Sequence, residues 1–346
     1  MTPSKLLLED LYFLPSSHNF QYYNNSVLVE PNACSIPNGL VIFVPSHPRS
    51  GRQRMAIRET WGSMARGKSW PHLDPIYNIQ LIFVLGQAGN VTHHNTSEDQ
   101  QEQTPTAIPN FLSNSTELYN GSTEADNNVV STTEEPTLDE LLEWEESLTR
   151  ETDSFHDILQ FQLLDSYANL TRKLILAFNW LLHSTCKCSY VLKVDQDVFV
   201  NIPMLITFLE QSGKPNSIYG HIYANSWVER KGKWAVSKID LPIDKYPIYA
   251  AGNAYVLSID AVDKIVKLSP HFPYIPVEDA FLTGILASVA GVDRIMTGGF
   301  TKWSESTPHA CEFVNYKRYV GNNMTEFMHR AIWRELVDVD SGRCKT

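Results

Sequence analysis

The sequence predicts an α/β protein whose central, mostly parallel sheet is covered by helices on both faces. Short apolar runs typical of buried strands occupy residues 39–45, 79–86 and 190–194, and the first two end at Pro or Gly. Helical composition at 52–61, and apolar residues spaced by three or four over 155–182, predict helices between these strands. Strands that alternate with helices in this way form parallel sheets.

The second half of the chain has a more broken pattern. Residues 246–252 are rich in turn formers and predict a loop, whereas 258–268 and 278–290 predict two further helices. With 346 residues, of which 43% are hydrophobic, the chain can bury a large core in one large domain or two smaller ones.

Most of the net charge lies in one acidic segment. The formal charge is −11, yet residues 87–150 hold 13 acidic residues against one basic residue, so the remainder is close to neutral. Residues 88 to about 136 are polar and lack apolar periodicity, which predicts a disordered loop. We expect a stem-like segment at 1–38 and one domain at 39–344 that this insertion interrupts. Without a basic excess, we expect no nucleic-acid partner.

Glycosylation signals and cysteines indicate an oxidising compartment. Asn-x-Ser/Thr acceptors occur at Asn24, Asn90, Asn95, Asn114, Asn120, Asn169 and Asn323. Three of them are clustered between Asn95 and Asn120, which favours a lumenal or extracellular chain. Five scattered cysteines predict one or two structural disulfides and an odd thiol, with the pairs left open.

No stretch is apolar enough over about 18 to 20 residues to span a bilayer. The apolar run at 6–14 is interrupted by charge and makes a poor signal peptide. Either the targeting segment is missing from this chain or the protein is cytosolic, and the glycosylation signals favour the first alternative.

Two carboxylates follow the strand predicted at 190–194. Asp195 and Asp197 are two positions apart, so in an extended chain their side chains point the same way and can face one cation or polar ligand. Alone this pattern is weak, since Asp338 and Asp340 repeat it in a polar tail. The first pair, however, lies beyond the carboxyl end of a strand, where ligands bind in open α/β sheets.

Several separated blocks together resemble the Golgi β-1,3-glycosyltransferases, which include β-1,3-galactosyltransferases and β-1,3-N-acetylglucosaminyltransferases. The matching blocks are Arg54-Met-Ala-Ile-Arg58-Glu-Thr-Trp-Gly62, residues 151–158 with 165–173, residues 246–258, residues 278–284, and residues 311, 328–333 and 344. The resemblance covers residues 39–344, and several ordered blocks are far more specific than any one of them.

The resemblance implies a GT-A-type nucleotide-sugar-binding fold and an inverting transfer from a uridine diphosphate (UDP) sugar to a 3-hydroxyl of an acceptor glycan on protein or lipid. Gln196 inside the Asp-x-Asp pattern and Glu278 before Asp279 favour the galactosyl branch, with UDP-galactose as donor. The N-acetylglucosaminyl branch, with UDP-N-acetylglucosamine, is the alternative. The resemblance implies that the protein acts in the Golgi lumen behind a membrane anchor, and we expect that anchor to be missing from this chain.

The resemblance also implies roles for individual residues. Asp279 matches the base that takes the acceptor proton, and Glu278 is then a positioning or acceptor-binding group. Asp197 and Asp195 match the ligands of Mn²⁺ or Mg²⁺, and Asn322 could supply a further oxygen. Without the resemblance, Glu278 and Asp279 would mark only the start of a helix. Asp195 and Asp197 would likewise mark only the end of a strand.

Further residues are expected to contact or support the donor. They are Arg54, Arg58, Asp165, Lys173, Asp195 and Gly252. Arg54 and Arg58 share a helix face and could bind a diphosphate, but ion pairing within the fold is an equal alternative.

Aromatic residues are expected to divide between packing and sugar contact. Trp61, Trp180, Trp333 and Tyr167 are expected to pack in the core, because they lie among apolar residues at helical spacing. Trp227 and Trp234 flank a polar, basic stretch and could stack on a sugar ring.

Two departures from the family pattern leave a non-catalytic alternative open. Where the family has a second glycine in its third block, this chain has Gly252-Asn253-Ala254. The family's closing segment carries a His after its Tyr-x-Arg that can complete the metal site, but no His follows Arg318 here until His329, which matches another family position. A sugar-binding or chaperone-like relative is therefore the rival to an enzyme.

Overall fold

The computed structural model describes residues 27–32, 39–73, 77–89, 137–302, 306–315, 317–338 and 344. Most of the expected stem-like segment and of the acidic insertion falls outside these ranges, so both remain predictions. Within the ranges described, no helix combines the length and the apolar character that crossing a bilayer requires.

Within the described part of the chain, eight strands form the central sheet. They are β1 (Val27–Val29), β2 (Leu40–Pro45), β3 (Ile79–Gln87), β4 (Ile158–Leu164), β5 (Tyr190–Val194), β7 (Ser217–Tyr223), β8 (Tyr249–Ser258) and β9 (Asp293–Met296). Their spatial order is β1-β4-β3-β2-β5-β8-β7-β9, and β6 (Phe199–Val200) and β10 (Val320–Gly321) pair separately. Strands β4, β3, β2 and β5 run parallel to one another, whereas β8 is antiparallel to both of its neighbours.

Helices cover both faces of this sheet, as the sequence predicts. They are α1 (Gly51–Glu59), α2 (Leu138–Phe155), α3 (Leu170–His183), α4 (Ile202–Ser212), α5 (Ile259–Leu268), a π-helix (Ala280–Leu286), α6 (Ala287–Val289), α7 (Ala310–Val314) and α8 (Glu326–Asp338). Short 3₁₀ turns occupy Trp61–Arg66, Tyr167–Asn169 and Ser269–His271.

Strand β2 separates two apolar cores because its side chains alternate between the faces. Val41 and Phe43 pack with α3, α5 and the π-helix. Leu40, Ile42 and Val44 pack with α1, α4, α7 and α8. The expected α/β class with a mostly parallel central sheet is therefore confirmed.

The single helix expected over 155–182 is wrong in its first half. Helix α2 ends at Phe155, His156 takes a left-handed conformation at φ 52°, and β4 follows before α3 begins at Leu170. The apolar residues of 158–164 lie on a strand that pairs in parallel with β3 and antiparallel with β1. Hydrogen bonding to two neighbouring strands makes this segment a strand. The spacing of apolar residues in so short a run does not by itself distinguish a helix from a strand.

The second half also differs from expectation in one loop. Residues 249–252, expected to be part of a turn-rich loop, begin the ten-residue strand β8 between β5 and β7. The helices expected at 258–268 and 278–290 are present, and the second is mainly a π-helix. Wider turns of this kind frequently mark functional sites.

A buried ion-pair cluster joins α1 to α2 and to the start of β4. Arg58 donates to both oxygens of Asp157, at 2.6 and 2.8 Å, and to Glu151 at 2.6 Å. Arg54 forms two hydrogen bonds to Glu151, at 2.6 and 2.8 Å. The guanidinium of Arg58 also lies 4.2 Å from the centroid of the Phe155 ring. The pKa of Glu151 is lowered because these two arginines outweigh its burial.

Cysteines and tryptophans follow the sequence-based expectations. Cys311 and Cys344 form a disulfide, Cys186 is also disulfide-bonded, and Cys188 is a free buried thiol. Trp61 is fully buried, and Trp180 and Trp333 pack partly buried against the cores, so their assignment to packing is confirmed.

Replacing Arg58 with Leu should destabilise the fold by about 3–5 kcal/mol, because it leaves the buried carboxylates of Asp157 and Glu151 short of their cation. The measurement is the free energy of unfolding by urea denaturation. Arg52→Leu, at an exposed position of the same helix, should change it by less than about 0.5 kcal/mol. A loss below about 1 kcal/mol in the Arg58 variant would contradict the structural role of this cluster.

Candidate functional site

A buried lysine joins two of the predicted site carboxylates. Lys193 lies on β5, and its Nζ is 2.6 Å from Asp195 Oδ1 and 3.5 Å from Glu278 Oε2. The same ammonium group donates to the carbonyl of Gly252 on β8. Lys193 and Asp195 point to the same side because they are two positions apart at the end of a strand. One buried cation therefore holds the ends of β5 and β8 against the residues that precede the π-helix.

Glu278 is almost fully buried and accepts a hydrogen bond from the Tyr255 hydroxyl. Burial raises the pKa of Glu278 to about 7, and the neighbouring charge of Asp279 adds to this rise. Lys193 and Tyr255 act in the opposite direction and limit the rise in pKa. Glu278 therefore exchanges its proton near neutral pH.

Asp279 is partly accessible and is held by backbone amides. Its Oδ1 accepts from the Ala280 N–H at 2.8 Å, and the Gly252 N–H also donates to this carboxylate. Burial raises the pKa of Asp279 to about 6, and the charge of Asp195 contributes. A Cβ atom on Gly252 would lie 2.9 Å from Asp279 Oδ2. Asp279 is thus a fixed carboxylate that can accept a proton at neutral pH.

The Asp195–Asp197 segment is held through its backbone, which leaves Asp197 exposed. Desolvation and the charge of Asp195 raise the pKa of Asp197. The Asp197 carbonyl accepts from the Met324 N–H at 2.9 Å, and the Gln196 carbonyl lies 3.2 Å from His329 Nε2. Burial lowers the pKa of His329 to about 4, so its neutral imidazole supports this segment from behind.

Asn322 lies in the same closing segment, two residues before the Met324 amide that binds Asp197. It is buried, its Oδ1 accepts from Thr301 Oγ1 at 2.7 Å, and its Nδ2 donates to the Lys302 carbonyl at 3.0 Å. Its expected role as a metal ligand remains a prediction. Among the described residues, no group of three or more His, Cys, Asp or Glu side chains could hold an ion.

Two predicted donor-binding residues form a buried pair behind the end of β2. Lys173 Nζ is 2.9 Å from Asp165 Oδ1 and donates to the Ser46 carbonyl at 2.9 Å. Asp165 Oδ2 accepts from the Gly86 N–H at 2.7 Å. Burial lowers the pKa of Lys173, although Asp165 opposes this effect. The sequence predicted that Asp165 lies on a long helix, but Asp165 directly follows β4.

Arg54 and Arg58 belong mainly to the ion-pair cluster, which corresponds to the second of the two predicted alternatives. Arg54 reaches furthest toward the site, because its Nη1 donates to Ser46 Oγ at 3.0 Å. Ser46 Oγ in turn donates to Gln196 Oε1 at 2.9 Å. Arg54 therefore supports the carboxylate segment through Ser46, and Arg58 lies one step further away.

A cleft of about 300 Å³ opens beside the Lys173–Asp165 pair, lined among others by His47, Trp144 and Tyr167. Tyr167 was expected to pack in the core, but 41% of its surface is exposed. This expectation is wrong because Tyr167 lies in a 3₁₀ turn before α3 rather than on an apolar helix face. Partial burial, followed by the charges of Asp279 and Glu278, raises its pKa to about 12. The charges of Asp279 and Glu278 therefore act on Tyr167, a residue that lines the cleft.

Sequence reasoning missed several residues of the site. Lys193 had a usable signal, since it lies two positions before Asp195 on the same strand face. Tyr255 is the register partner of Lys193 across β5 and β8, which no sequence pattern shows. Ser46 and His47 directly follow β2, whereas Trp144 lies on α2, and only the fold brings these two parts of the chain together.

Glu278→Gln should change how stability depends on pH in protein free of divalent ions. An ordinary Glu titrates near pH 4.3 when unfolded, so the folded state holds the extra proton between about pH 4.5 and 7. This contribution to stability is present below the unfolded pKa and is lost as pH rises through the folded pKa. We expect wild type to lose more than about 1 kcal/mol relative to the variant across this window.

The measurement is urea denaturation at pH 5, 6, 7 and 8. Glu210→Gln, at an exposed position on α4, should leave the pH profile unchanged. Parallel profiles for wild type and the Glu278 variant would contradict the raised pKa.

Comparisons with known proteins agree on one family. A family model described as galactosyltransferase matches residues 139–297. β-1,3-galactosyltransferase 1 of Mus musculus is 27% identical over 335 residues, covering 94% of this chain and 82% of the relative. β-1,3-galactosyltransferase 5 of Mus musculus is 33% identical over 258 residues, covering 73% of this chain and 64% of the relative.

Among solved structures, apo mouse xyloside xylosyltransferase 1 matches 84% of this chain and 98% of its own, with 9% identity and a TM-score of 0.33. The sequence matches support the β-1,3-glycosyltransferase family, and within it the galactosyl branch, for this chain.

Proposed function

We propose that this chain is an inverting β-1,3-galactosyltransferase that moves galactose from UDP-galactose to a 3-hydroxyl of an acceptor glycan. The observation that carries the proposal is the pair of carboxylate groups joined by Lys193. Asp195, on the donor side, and Glu278, beside the proposed base Asp279, both contact its ammonium group. A nucleotide sugar and an acceptor that meet at this junction would have a carboxylate at each end of the reacting bond.

In the proposed reaction the acceptor hydroxyl attacks the anomeric carbon in one displacement. Asp279 takes the hydroxyl proton as the new carbon–oxygen bond forms. The bond from the anomeric carbon to the diphosphate breaks, and its electron pair leaves with UDP. Asp279 suits this role because it is ionised above about pH 6, partly accessible and fixed by two backbone amides.

The cleft beside Asp165 is the proposed site of the donor nucleoside. Its aromatic side chains His47 and Trp144 can pack against a base, with ring centroids 6.3 Å apart. Asp165 is fixed by Lys173 and by the Gly86 amide, so its carboxylate is preorganised at the cleft. Burial lowers the pKa of His47, and a neutral ring suits contact with an uncharged base.

The carboxylates fit the divalent ion that the family implies. The pKa of Asp197 is raised partly by the like charge of Asp195, and a cation would relieve that repulsion. Asp197 and Asp195 would hold Mn²⁺ or Mg²⁺, which bind through one or two carboxylates plus substrate phosphates. Such an ion neutralises charge on the leaving diphosphate. Asn322 is a further candidate ligand, and Asn253 Oδ1 is a buried oxygen without a partner among the described residues.

We further propose that the protein works in the Golgi lumen on glycans of glycoproteins or glycolipids. The glycosylation signals and the disulfides are consistent with that compartment. Trp227 and Trp234 remain exposed, at 66% and 37%, in the connection between β7 and β8, where they are candidates for stacking on the acceptor.

A screen of UDP-galactose, UDP-N-acetylglucosamine and the other common UDP sugars, with Mn²⁺ and a panel of acceptors, tests the proposal. Transfer of galactose alone supports it, whereas transfer of N-acetylglucosamine supports the other branch. Binding of an acceptor without transfer, and without metal-dependent UDP binding in calorimetry, would support a non-catalytic relative.

Asp279→Asn and Asp197→Ala should each reduce galactose transfer by at least about 10³-fold, because the first removes the base and the second a metal-binding carboxylate. Asp293→Asn, at an exposed position on β9, should retain full activity. In wild type, kcat/KM should fall on the acid side with an apparent pKa near 6, because Asp279 must be ionised to act. Near-normal turnover in either active-site variant would refute these roles.

Gly252→Ala should reduce kcat by at least about tenfold, because the added Cβ would lie 2.9 Å from Asp279 Oδ2 and force the carboxylate to move. The measurement is the initial rate at saturating donor and acceptor, with the melting temperature recorded in parallel. Gly298→Ala is the matched control, since its Cβ would meet nothing within 4 Å. Equal rates in the two variants would show that the position of Asp279 tolerates displacement.

A further inference from the structure

Lys233 holds its ammonium group over two aromatic rings at the edge of the site. It lies in the connection between β7 and β8, directly after Gly232, whose φ of 86° turns the chain. Its Nζ is 5.2 Å from the centroid of the Tyr167 ring and 5.7 Å from that of Trp234. The Trp234 side chain is also hydrogen-bonded to Tyr167, and Tyr167 lines the cleft beside Asp165. Lys233 is thereby positioned at the mouth of the cleft.

Three other cations of this connection are engaged elsewhere. Lys238 pairs with Asp244 at 2.6 Å, Arg230 donates to the carbonyls of Val236 and Leu241 at 2.9 Å, and Lys245 stacks over another ring. Lys233 is exposed, and no ion pair or hydrogen bond joins its ammonium group to any other part of the described chain. Lys233 is therefore a cation close to the site whose charge no ion pair within the described chain neutralises.

The charge balance of the site calls for such a cation. Five carboxylates surround the proposed donor position: Asp165, Asp195, Asp197, Glu278 and Asp279. The two lysines among them, Lys173 and Lys193, are buried and already hydrogen-bonded to carboxylates and carbonyls. Even with a divalent ion bound, a sugar diphosphate would add negative charge to an acidic site, and more would develop as it leaves.

We propose that Lys233 binds the diphosphate of the sugar nucleotide and stabilises the negative charge that develops on it as the bond to the anomeric carbon breaks. This inference rests on the proposed function, and it assigns Lys233 to the leaving group rather than to the acceptor. Trp234 and Tyr167 then have a second role beside any sugar contact, because they hold the flexible lysine side chain over the cleft.

The test compares Lys233→Ala, Lys233→Arg and the control Lys231→Ala, which changes an exposed lysine two positions away on the same connection. Three quantities are measured: kcat of galactose transfer, the inhibition constant of UDP, and the KM of the acceptor. Lys233→Ala should lower kcat by about 10- to 100-fold and weaken UDP inhibition by at least about tenfold, with the acceptor KM within about twofold of wild type. Lys233→Arg should retain most of both, and Lys231→Ala should match wild type.

The inference is overturned if kcat and the UDP inhibition constant of Lys233→Ala both stay within twofold of wild type. It is equally overturned if only the acceptor KM rises, since Lys233 would then serve to order Trp234 for the acceptor. Failure of the proposed function is recognised separately, because wild type would then neither bind UDP nor transfer a sugar. An unchanged melting temperature in Lys233→Ala excludes a folding defect.

Discussion

The buried ammonium group of Lys193 is the interaction on which the arrangement of the site depends. Asp195, Glu278 and the Gly252 carbonyl come from three separate parts of the chain, and each contacts this one cation. Without it, two carboxylates would face each other in a region of low dielectric constant, where like charges repel strongly. The position of the proposed base relative to the donor side is therefore fixed by an electrostatic contact rather than by apolar packing.

A second polar network fixes the other side of the site. Ser46, at the end of β2, accepts from Arg54, donates to Gln196 and offers its carbonyl to Lys173. Through these bonds α1 and α3 are tied to the end of β5. Arg54 continues into the cluster with Glu151 on α2, the helix that carries Trp144 into the cleft. The cleft wall and the Asp195–Asp197 segment are thus connected through the same hydrogen bonds. A substitution in α1 or α2 that breaks these bonds should displace both of them.

Sequence alone predicted the parts of this protein that depend on local pattern. Strands β2, β3 and β5 were found because each is a continuous apolar run, and the Asp195–Asp197 pair because it ends one of them. Strand β4 was missed because Leu163 continues the three- and four-residue spacing of Tyr167 and Leu170, and only its pairing with β3 decides between helix and strand. The contact from Lys193 to Glu278 spans 85 positions in sequence, and that distance hides it from any local pattern. Tyr167 was misplaced for the same reason, since its neighbours across the cleft come from other elements.

The energetics of the carboxylates favour an enzyme over a non-catalytic relative. Glu278 and Asp279 both have raised pKa values, so their ionised forms are less stable in the fold than in water. A fold under no chemical demand would be more stable with neutral or apolar residues there. The missing family His bears only on the number of metal ligands, because Asp195 and Asp197 are positioned by Lys193, Met324 and His329 instead. A site that keeps costly carboxylates in fixed places is what proton transfer requires.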